Sequence, residues 1–178
     1  LPQHAPSTGP VRVMPGPQSD LFNARAKEAF EAATFLRSPR ANRQGVRLDH
    51  DGAPFATDGQ LTLVSDFISE GDIQMTGDGT PFVLLAECQT MGGYPRIGTV
   101  IPADIPRVAQ AVLGEELTLE FITTNEAESL WQSEEAYQKT RSAAKSPRVR
   151  DPREMADLLS YELIDRPDPE VTGSTPAK

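Results

Sequence analysis

The chain has 178 residues, enough for one ordinary domain, a formal net charge of −9 and a single cysteine. The acidic balance argues against nonspecific nucleic-acid binding, which depends on lysine and arginine, and one cysteine excludes an internal disulfide framework. No apolar run approaches the roughly 20 residues of a membrane span, and no basic start followed by an apolar core indicates a signal peptide. These features predict a cytoplasmic protein.

The two ends of the chain differ in composition from the middle. Residues 1–10 and 166–178 are rich in proline and lack apolar periodicity, so both are predicted to be flexible. A packed domain is predicted over residues 11–124, followed by a helical extension over residues 125–165. The first residue is leucine, so we expect the chain to be a piece of a longer protein.

The first part of the packed domain predicts a strand, a helix and two further strands. The strand is Val11–Met14, and two prolines around Gly16 end it. The helix begins at Ser19 or Asp20, which can cap it, and apolar side chains then recur on one face. Strand-like runs follow at 33–39 and 43–52. The turns predicted beside them are Ser38-Pro39 and Asp51-Gly52.

The second part predicts mainly strands. Residues 60–90 carry two or three strands, interrupted by Gly71 and by a turn at Gly77-Asp78-Gly79. An apolar strand at 96–101, a short helix at 102–114 and an alternating strand at 115–124 follow, with Leu117, Leu119 and Phe121 on one face of the last strand. Many short strands with two short helices favour a mainly β domain, built as a closed or nearly closed β-barrel.

The extension behind the barrel predicts two helices. The first covers residues 125–145, with Asn125 as its cap and Glu128 three positions later. The second starts at Asp151, with Pro152 in its first turn. We expect this segment to pack on the barrel or to dock on a partner.

Several kinds of catalytic and metal site lack candidates. His4 lies in the proline-rich start and His50 precedes an Asp-Gly turn, so neither has a neighbouring nucleophile or second ligand. We interpret His50 as a turn residue. No phosphate-binding glycine motif occurs. Cys88 has no cation beside it to stabilise a thiolate, so we interpret it as a buried, inert thiol.

The run Glu87–Arg96, ECQTMGGYPR, contains the first candidate site. The glycines at 92 and 93 allow a sharp turn and the close approach of a ligand or another backbone. Pro95 biases Tyr94 towards an extended conformation, and Gln89 and Thr90 bring donors and acceptors to the same edge. Two interpretations are open, a simple hairpin corner or a turn that holds a ligand.

Two other runs add candidates. Arg43 and Arg47 are four residues apart, so on one strand they share a face, where they can clamp an anion such as a carboxylate or can be solvated surface residues. Ser69, Glu70 and Gln74 surround Gly71 at a strand junction. Glu70 can serve as a base or can pair with an arginine.

Four runs together resemble a known family. They are VRVMPGPQSDLF, NRQGVRL, the long run from ISEGDIQM through AECQTMGGYPRIGTV to PADIPRVAQ, and GEELTLEF. The chain is similar, over about Val11–Ile122, to the C-terminal half of the biotin-dependent carboxyltransferase subunit family, also called allophanate hydrolase subunit 2. That family includes the carboxyltransferase part of urea carboxylase, the C subunit of bacterial 5-oxoprolinase and the KipA proteins.

The resemblance implies a cyclophilin-like β-barrel, of which the full subunit contains two. It implies work in a complex with an allophanate hydrolase subunit 1-type protein, and with a biotin carboxylase or biotin carrier, or the A subunit of 5-oxoprolinase. The function implied is carboxyl transfer from carboxybiotin held on a partner domain, or ATP-dependent lactam opening in which ATP is used by the complex and not bound by this chain. The substrate implied is an amide or urea-like molecule. The alternative is a KipA-like regulatory or structural module without chemistry of its own.

The resemblance also changes the weight of the site residues. It implies that residues of the three runs line a substrate pocket or its neighbourhood, with Ser69, Glu70 and Gln74 across the barrel mouth. The chain departs from the family pattern at Cys88 and at Met91, where a threonine hydroxyl is common. The full set of predicted substrate-binding residues is Arg43, Arg47, Ser69, Glu70, Gln74, Gln89, Thr90, Gly92, Gly93 and Tyr94.

Overall fold

A computed structural model describes residues 9–55, 57 and 63–145 of the chain. Within them the chain forms nine strands, three α-helices and one turn of 3-10 helix at Ser19–Leu21. The strands are β1 (Val11–Met14), β2 (Thr34–Asn42), β3 (Gly45–Asp49), β4 (Asp66–Phe67), β5 (Asp72–Met75), β6 (Pro81–Leu84), β7 (Met91–Gly92), β8 (Arg96–Val100) and β9 (Glu116–Phe121). The helices are α1 (Ala24–Ala32), α2 (Ile105–Gln110) and α3 (Thr124–Ala143).

Seven of these strands close into a barrel, in the order β1-β8-β5-β6-β3-β2-β9. All neighbouring pairs are antiparallel except β1 and β9, which run parallel and close the barrel, with Val11 opposite Leu119. Strands β4 and β7 form a separate two-stranded sheet. The prediction of a mainly β, closed barrel with short helices is therefore confirmed.

The interior of the barrel is filled by alternate side chains of its strands. Val11, Val13, Ile73, Val83 and Leu119 are at most 1% exposed, as expected for the inward-facing positions of a period of two. A cluster of aromatic rings joins α1 to this interior. The Phe30 ring lies 5.3, 5.6 and 5.8 Å from the rings of, respectively, Phe35, Phe55 and Phe121.

The first predicted helix starts later than its sequence signals indicated. Ser19 lies in the 3-10 turn, where its hydroxyl accepts from the Gly16 N–H and donates to the Ile97 carbonyl, both at 2.7 Å, so it is not available to cap a helix. Helix α1 begins at Ala24 instead. Its cap is Asn23, whose side-chain oxygen accepts from the Ala26 N–H at 2.9 Å.

The turn predicted at Ser38-Pro39 does not form, because β2 runs through it to Asn42. The pairing of β2 with β3 shifts register between Arg37 and Ala41, and this irregularity accommodates the proline, which cannot donate to a regular ladder. The predicted turn at residues 77–79 is confirmed. It joins β5 to β6, and the Thr76 N–H donates to the Thr80 carbonyl at 3.0 Å.

Helix α3 begins at Thr124, not at Asn125, because Thr123 and Glu126 cap it reciprocally. The Glu126 carboxylate accepts from the Thr123 N–H at 2.8 Å, and the Thr123 hydroxyl accepts from the Glu126 N–H at 3.2 Å. By its contacts α3 groups with the barrel in a compact unit that ends at Ala143. The predicted domain boundaries stay predictions, and the predicted second helix lies outside the described residues.

Two further features complete the fold. Helix α2 is held to β1 by Asp104, which is fully buried and accepts from the backbone N–H of Arg12 at 2.9 Å and from its guanidinium at 2.8 and 2.7 Å.

Neither α3 nor any other helix of the described part has the length and apolarity that crossing a membrane requires.

Candidate functional site

A cavity of about 230 Å³ lies beside the outer wall of the barrel. Its lining combines neutral polar side chains with apolar ones, and three of the predicted site residues, Gln74, Gln89 and Tyr94, take part. The full lining is Gln44, Ile68, Gln74, Thr76, Phe82, Leu84, Cys88, Gln89 and Tyr94.

The cavity lies outside the barrel because of the alternation along β5 and β6. Ile73, Met75 and Val83 belong to the core cluster, so the residues between and beside them face the opposite way. Gln74 and Phe82, which are direct neighbours across the β5–β6 ladder, therefore point outward. The expectation that Gln74 faces the barrel mouth is corrected by this alternation.

Gln74 is the most informative side chain of the cavity. It is 8% exposed, and its Nε2 is buried without a hydrogen-bond partner among the described residues. A buried amide donor without a partner costs about 1–3 kcal/mol, so such groups in native proteins call for an explanation. Because this amide lines the cavity, a ligand with an acceptor oxygen would satisfy it.

The sharp change of chain direction that the sequence suggested at the two glycines is centred on the next residue, Tyr94, and the glycines do not need a left-handed backbone for it. Neither has a positive φ, and Gly92 lies in β7, paired with Asp66 of β4. Gly92 matters through close approach instead. A Cβ atom there would lie 2.5 Å from Gln74 Nε2 and 3.1 Å from Ile68 Cδ1. Any residue other than glycine would therefore displace the Gln74 amide. Tyr94, which is 49% exposed, stands at the rim.

Arg96 anchors the small β4–β7 sheet beside the cavity, and the sequence analysis did not select it. Its guanidinium is 13% exposed and donates to the Phe67 carbonyl at 2.6 Å, to Asp66 at 2.5 Å and to Asp72 at 3.1 Å. Its backbone N–H donates to Gln18 Oε1 at 3.1 Å. The run PGPQ thus contributes to the site through Gln18, which positions Arg96.

The remaining residues of the SEG run are placed near the cavity but not on its lining. Ser69 and Glu70 are exposed in the turn before β5, where the Ser69 N–H donates to Asp72 at 3.0 Å. Gly71 has a φ of 90°, and a Cβ there would lie 2.8 Å from the Val100 carbonyl. Thr90 is exposed as well, and its carbonyl accepts from the Ile68 N–H at 3.2 Å.

Arg43 and Arg47 do not share one strand. Arg43 lies in the turn between β2 and β3, is 84% exposed and pairs with Glu87 at 2.6 Å. Arg47 lies on β3 and pairs with Asp49 at 2.8 Å and with Asp78 at 3.6 Å. The geometry that the proposed anion clamp required is therefore absent from this hairpin.

The Arg47 ion pairs line a second, separate cavity of about 180 Å³, together with His50. Burial raises the pKa of Asp49, but hydrogen bonds from Arg47 and Ser38 and the charge of Arg47 outweigh it, so the pKa lies below its usual range. Burial lowers the pKa of His50, which packs 4.6 Å from the Phe55 ring. Its Nδ1 accepts from the Gly52 N–H at 3.1 Å, as a turn residue does.

Cys88 lines the cavity beside Gln74 and is partly buried. Burial raises the pKa of its thiol above the ordinary value, and the negative charges of Asp72 and Glu70 raise it further. The thiol is therefore protonated at neutral pH, and its side chain is not a base or a nucleophile there. The interpretation of Cys88 as a buried, inert thiol agrees with this direction of the pKa, but the side chain is partly and not fully buried.

We expect Cys88 to react slowly with iodoacetamide at pH 7.5, at least about tenfold more slowly than in the urea-unfolded chain, because the thiolate is the nucleophile. The rate should rise only as pH passes above the ordinary thiol range near 8.5. Cys88 is the chain's single cysteine, so mass spectrometry reads this site alone. A folded-state rate equal to the unfolded one would contradict the assignment.

The comparisons with known proteins agree with this architecture. Residues 1–121 match the family of carboxyltransferase domains, described as subdomains A and B. The chain belongs to this carboxyltransferase family. The match covers β1 to β9 and therefore the whole barrel with its wall cavity.

Relatives within and near this family are much longer proteins. The chain is 33% identical over 127 residues to the C subunit of 5-oxoprolinase from Escherichia coli and 29% identical to that from Haemophilus influenzae. In each case the match covers 71% of this chain and 40% of the relative. The urea carboxylase of Kluyveromyces lactis has the same fold over 71% of this chain and 12% of its own, with a TM-score of 0.63 and 23% identity.

Proposed function

We propose that this carboxyltransferase-family chain forms one barrel of a subunit that acts on an amide or urea-like substrate within a multi-subunit complex. The observation that carries this is the Gln74 amide, buried without a partner on the cavity lining. The amides of Gln44 and Gln89 on the lining can donate to a carbonyl and accept from an N–H, and the Thr76 hydroxyl, which already donates within the chain, can accept. That pattern complements an amide or ureido group.

The cavity contributes binding and orientation. An amide carbonyl placed against Gln74 Nε2 accepts a hydrogen bond that this donor does not make in the free protein. Binding therefore removes the free-energy cost of an unsatisfied buried donor, in addition to replacing the ligand's own bond to water. Phe82, Leu84 and Ile68 exclude water from one side of that bond. Held there, the amide nitrogen is presented in one orientation to whatever group reacts with it.

The ureido ring of biotin has the same donor and acceptor pattern as these substrates, so the lining fits that group as well. Carboxybiotin carried by a partner domain would supply the carboxyl group for transfer. This chain's residues would hold and orient the amide group, and ATP would be used elsewhere in the complex. A biotin carboxylase or carrier, an allophanate hydrolase subunit 1-type protein or the A subunit of 5-oxoprolinase would be the partners.

The test is an assay of the chain in its complex. The chain is co-expressed with a subunit 1-type partner, and ATP-dependent turnover of urea, with a biotin carboxylase present, and of 5-oxoproline is measured. We expect Gln74→Leu to lower turnover about tenfold or more, the usual effect of losing one hydrogen bond to a buried substrate group. The folded chain should be as stable as the parent or more so, since the change removes an unpaired buried donor.

Gln110→Leu is the matched control, because Gln110 is exposed on α2 away from the cavity, and it should behave like the parent. Equal turnover by Gln74→Leu and the parent would contradict the cavity assignment. Tight partner binding without turnover of either substrate would instead favour the regulatory, KipA-like alternative.

A further inference from the structure

The charges around the wall cavity indicate which amides it accepts. The outer face of the wall carries a row of direct cross-strand neighbours: Arg47 opposite Phe82, Phe82 opposite Gln74, and Gln74 opposite Arg96. The cavity lining on this row is neutral, formed by Gln74 and Phe82. The arginines at its two ends are the cations that could reach towards a ligand.

Both of these arginines are already neutralised, because each guanidinium faces two carboxylates. The pairs are Arg47 with Asp49 and Asp78, and Arg96 with Asp66 and Asp72. The Arg96 group is also only 13% exposed, which fixes its direction. Neither cation is therefore available to a ligand in the cavity.

A third arginine lies next to the lining in the chain. Arg43 precedes the lining residue Gln44 and pairs with Glu87 at 2.6 Å. Among the described residues, the three guanidinium groups around the cavity thus stand against five carboxylates. The surroundings of the cavity are negative in balance.

Two carboxylates also lie close to the residues that line the cavity. Asp72 is buried at the start of β5, two residues before Gln74. Both Asp72 and Glu70 act on the Cys88 thiol in the sense that disfavours a negative charge there. A ligand carboxylate in the cavity would lose water without gaining a cation.

We infer that this cavity selects uncharged amides, lactams and ureas, and rejects the same groups when they carry a carboxylate. The inference rests on the proposed function, since it assigns a substrate class to the same site. The inference predicts that this chain alone binds 5-oxoproline weakly, although its bacterial relatives are named after that lactam. A carboxylate-bearing substrate would need a cation from another subunit.

Two ligands that differ only in the carboxylate test this inference on the full 178-residue chain. They are 2-pyrrolidinone, a neutral lactam, and 5-oxoproline, the same ring with a carboxylate that is ionised at about pH 7.5. Binding is followed by NMR shifts of the ¹⁵N-labelled chain, including the side-chain amide signal of Gln74. We expect 2-pyrrolidinone to bind at least about tenfold more tightly, which corresponds to the loss of one compensating interaction for the carboxylate.

A charge variant makes the test reciprocal. Gln89 is exposed on the cavity lining, so Gln89→Arg places a cation there without burying it, and we expect it to raise the affinity for 5-oxoproline about tenfold relative to the affinity for 2-pyrrolidinone. Gln110→Arg, on the exposed face of α2, adds the same charge elsewhere and should change neither affinity.

The outcomes distinguish the selectivity from the proposed function. Equal or tighter binding of 5-oxoproline by the parent chain, with the Gln74 signal shifted, would overturn the charge selectivity and leave the amide cavity in place. If neither ligand shifts any signal at about 100 mM, well above the millimolar dissociation constants expected for such small molecules, the proposed function and the selectivity are overturned together.

Discussion

Replacing Asp104 by alanine will lower the free energy of unfolding by about 2–4 kcal/mol, because it leaves the Arg12 guanidinium largely buried without its carboxylate. The Arg12 side chain is 20% exposed and the Asp104 side chain is fully buried, so water cannot replace the lost contacts completely. The backbone N–H of Arg12 loses its acceptor in the same step. Urea unfolding followed by far-UV circular dichroism measures the change.

The matched control for this ion pair is the double variant Arg12→Met with Asp104→Leu. Replacing both members by apolar groups of similar size is often nearly neutral, because the Arg12 guanidinium is removed together with its carboxylate. Arg107 loses its contact with Asp104 at 3.9 Å in the single and the double variant alike, so the comparison isolates the Arg12 guanidinium. We therefore expect the double variant to be more stable than Asp104→Ala. A single variant within about 0.5 kcal/mol of the parent, the range of ordinary surface changes, would show that this contact does not hold α2 to the barrel.

Replacing Asp72 by alanine will cost stability and ligand affinity together. The carboxylate accepts from the Ser69 N–H at 3.0 Å, from the Thr99 hydroxyl at 2.7 Å and from Arg96 at 3.1 Å. Its side chain is 7% exposed, so we expect a loss of about 3 kcal/mol in the free energy of unfolding. Because Arg96 also binds the Phe67 carbonyl, the β4–β7 sheet beside the cavity should loosen.

Two measurements on the Asp72→Ala chain separate these effects. Urea unfolding gives the stability, and NMR titration with 2-pyrrolidinone at a temperature where the variant is folded gives the affinity, which we expect to fall severalfold. Glu70→Ala is the control for stability, because Glu70 is exposed two residues away and should stay within about 0.5 kcal/mol of the parent. Unchanged affinity in the folded Asp72→Ala chain would mean that Arg96 does not support the cavity.

The barrel was predictable because its strands carry their own local signal. The alternation in β9 places Leu117 and Leu119 inside, as its pattern indicated, and the glycine turn between β5 and β6 ends both strands. Helix ends were less predictable. Thr123 with Glu126 and Asn125 with Glu128 are two capping-box patterns two residues apart, and the sequence does not rank them. In the folded chain the first pair forms both hydrogen bonds.

The candidate site was predictable only in part, because most of it depends on strand register. Gln74, Gln89 and Tyr94 were chosen from runs that resemble the family, and the structure places all three on one cavity. Gln44 and Phe82 reach the same cavity through pairings between strands far apart in the chain, for which no local pattern exists. Arg43 was misplaced because β3 begins only at Gly45, which leaves Arg43 in the turn before it. The pairing of Arg47 with Asp78 joins two different hairpins and has no local pattern either.

The parallel contact of β1 with β9 has a consequence for how this barrel fits into a longer polypeptide. Because the two closing strands run the same way, the chain enters the barrel at one end and departs at the other. Such a barrel can lie between two other domains of one polypeptide, one joined at each end of the barrel. The barrel also cannot close during synthesis until β9 has left the ribosome, because Val11 of β1 pairs with Leu119 of β9. Until then β1 and β2 each have an unpaired edge, which neighbouring chains can contact.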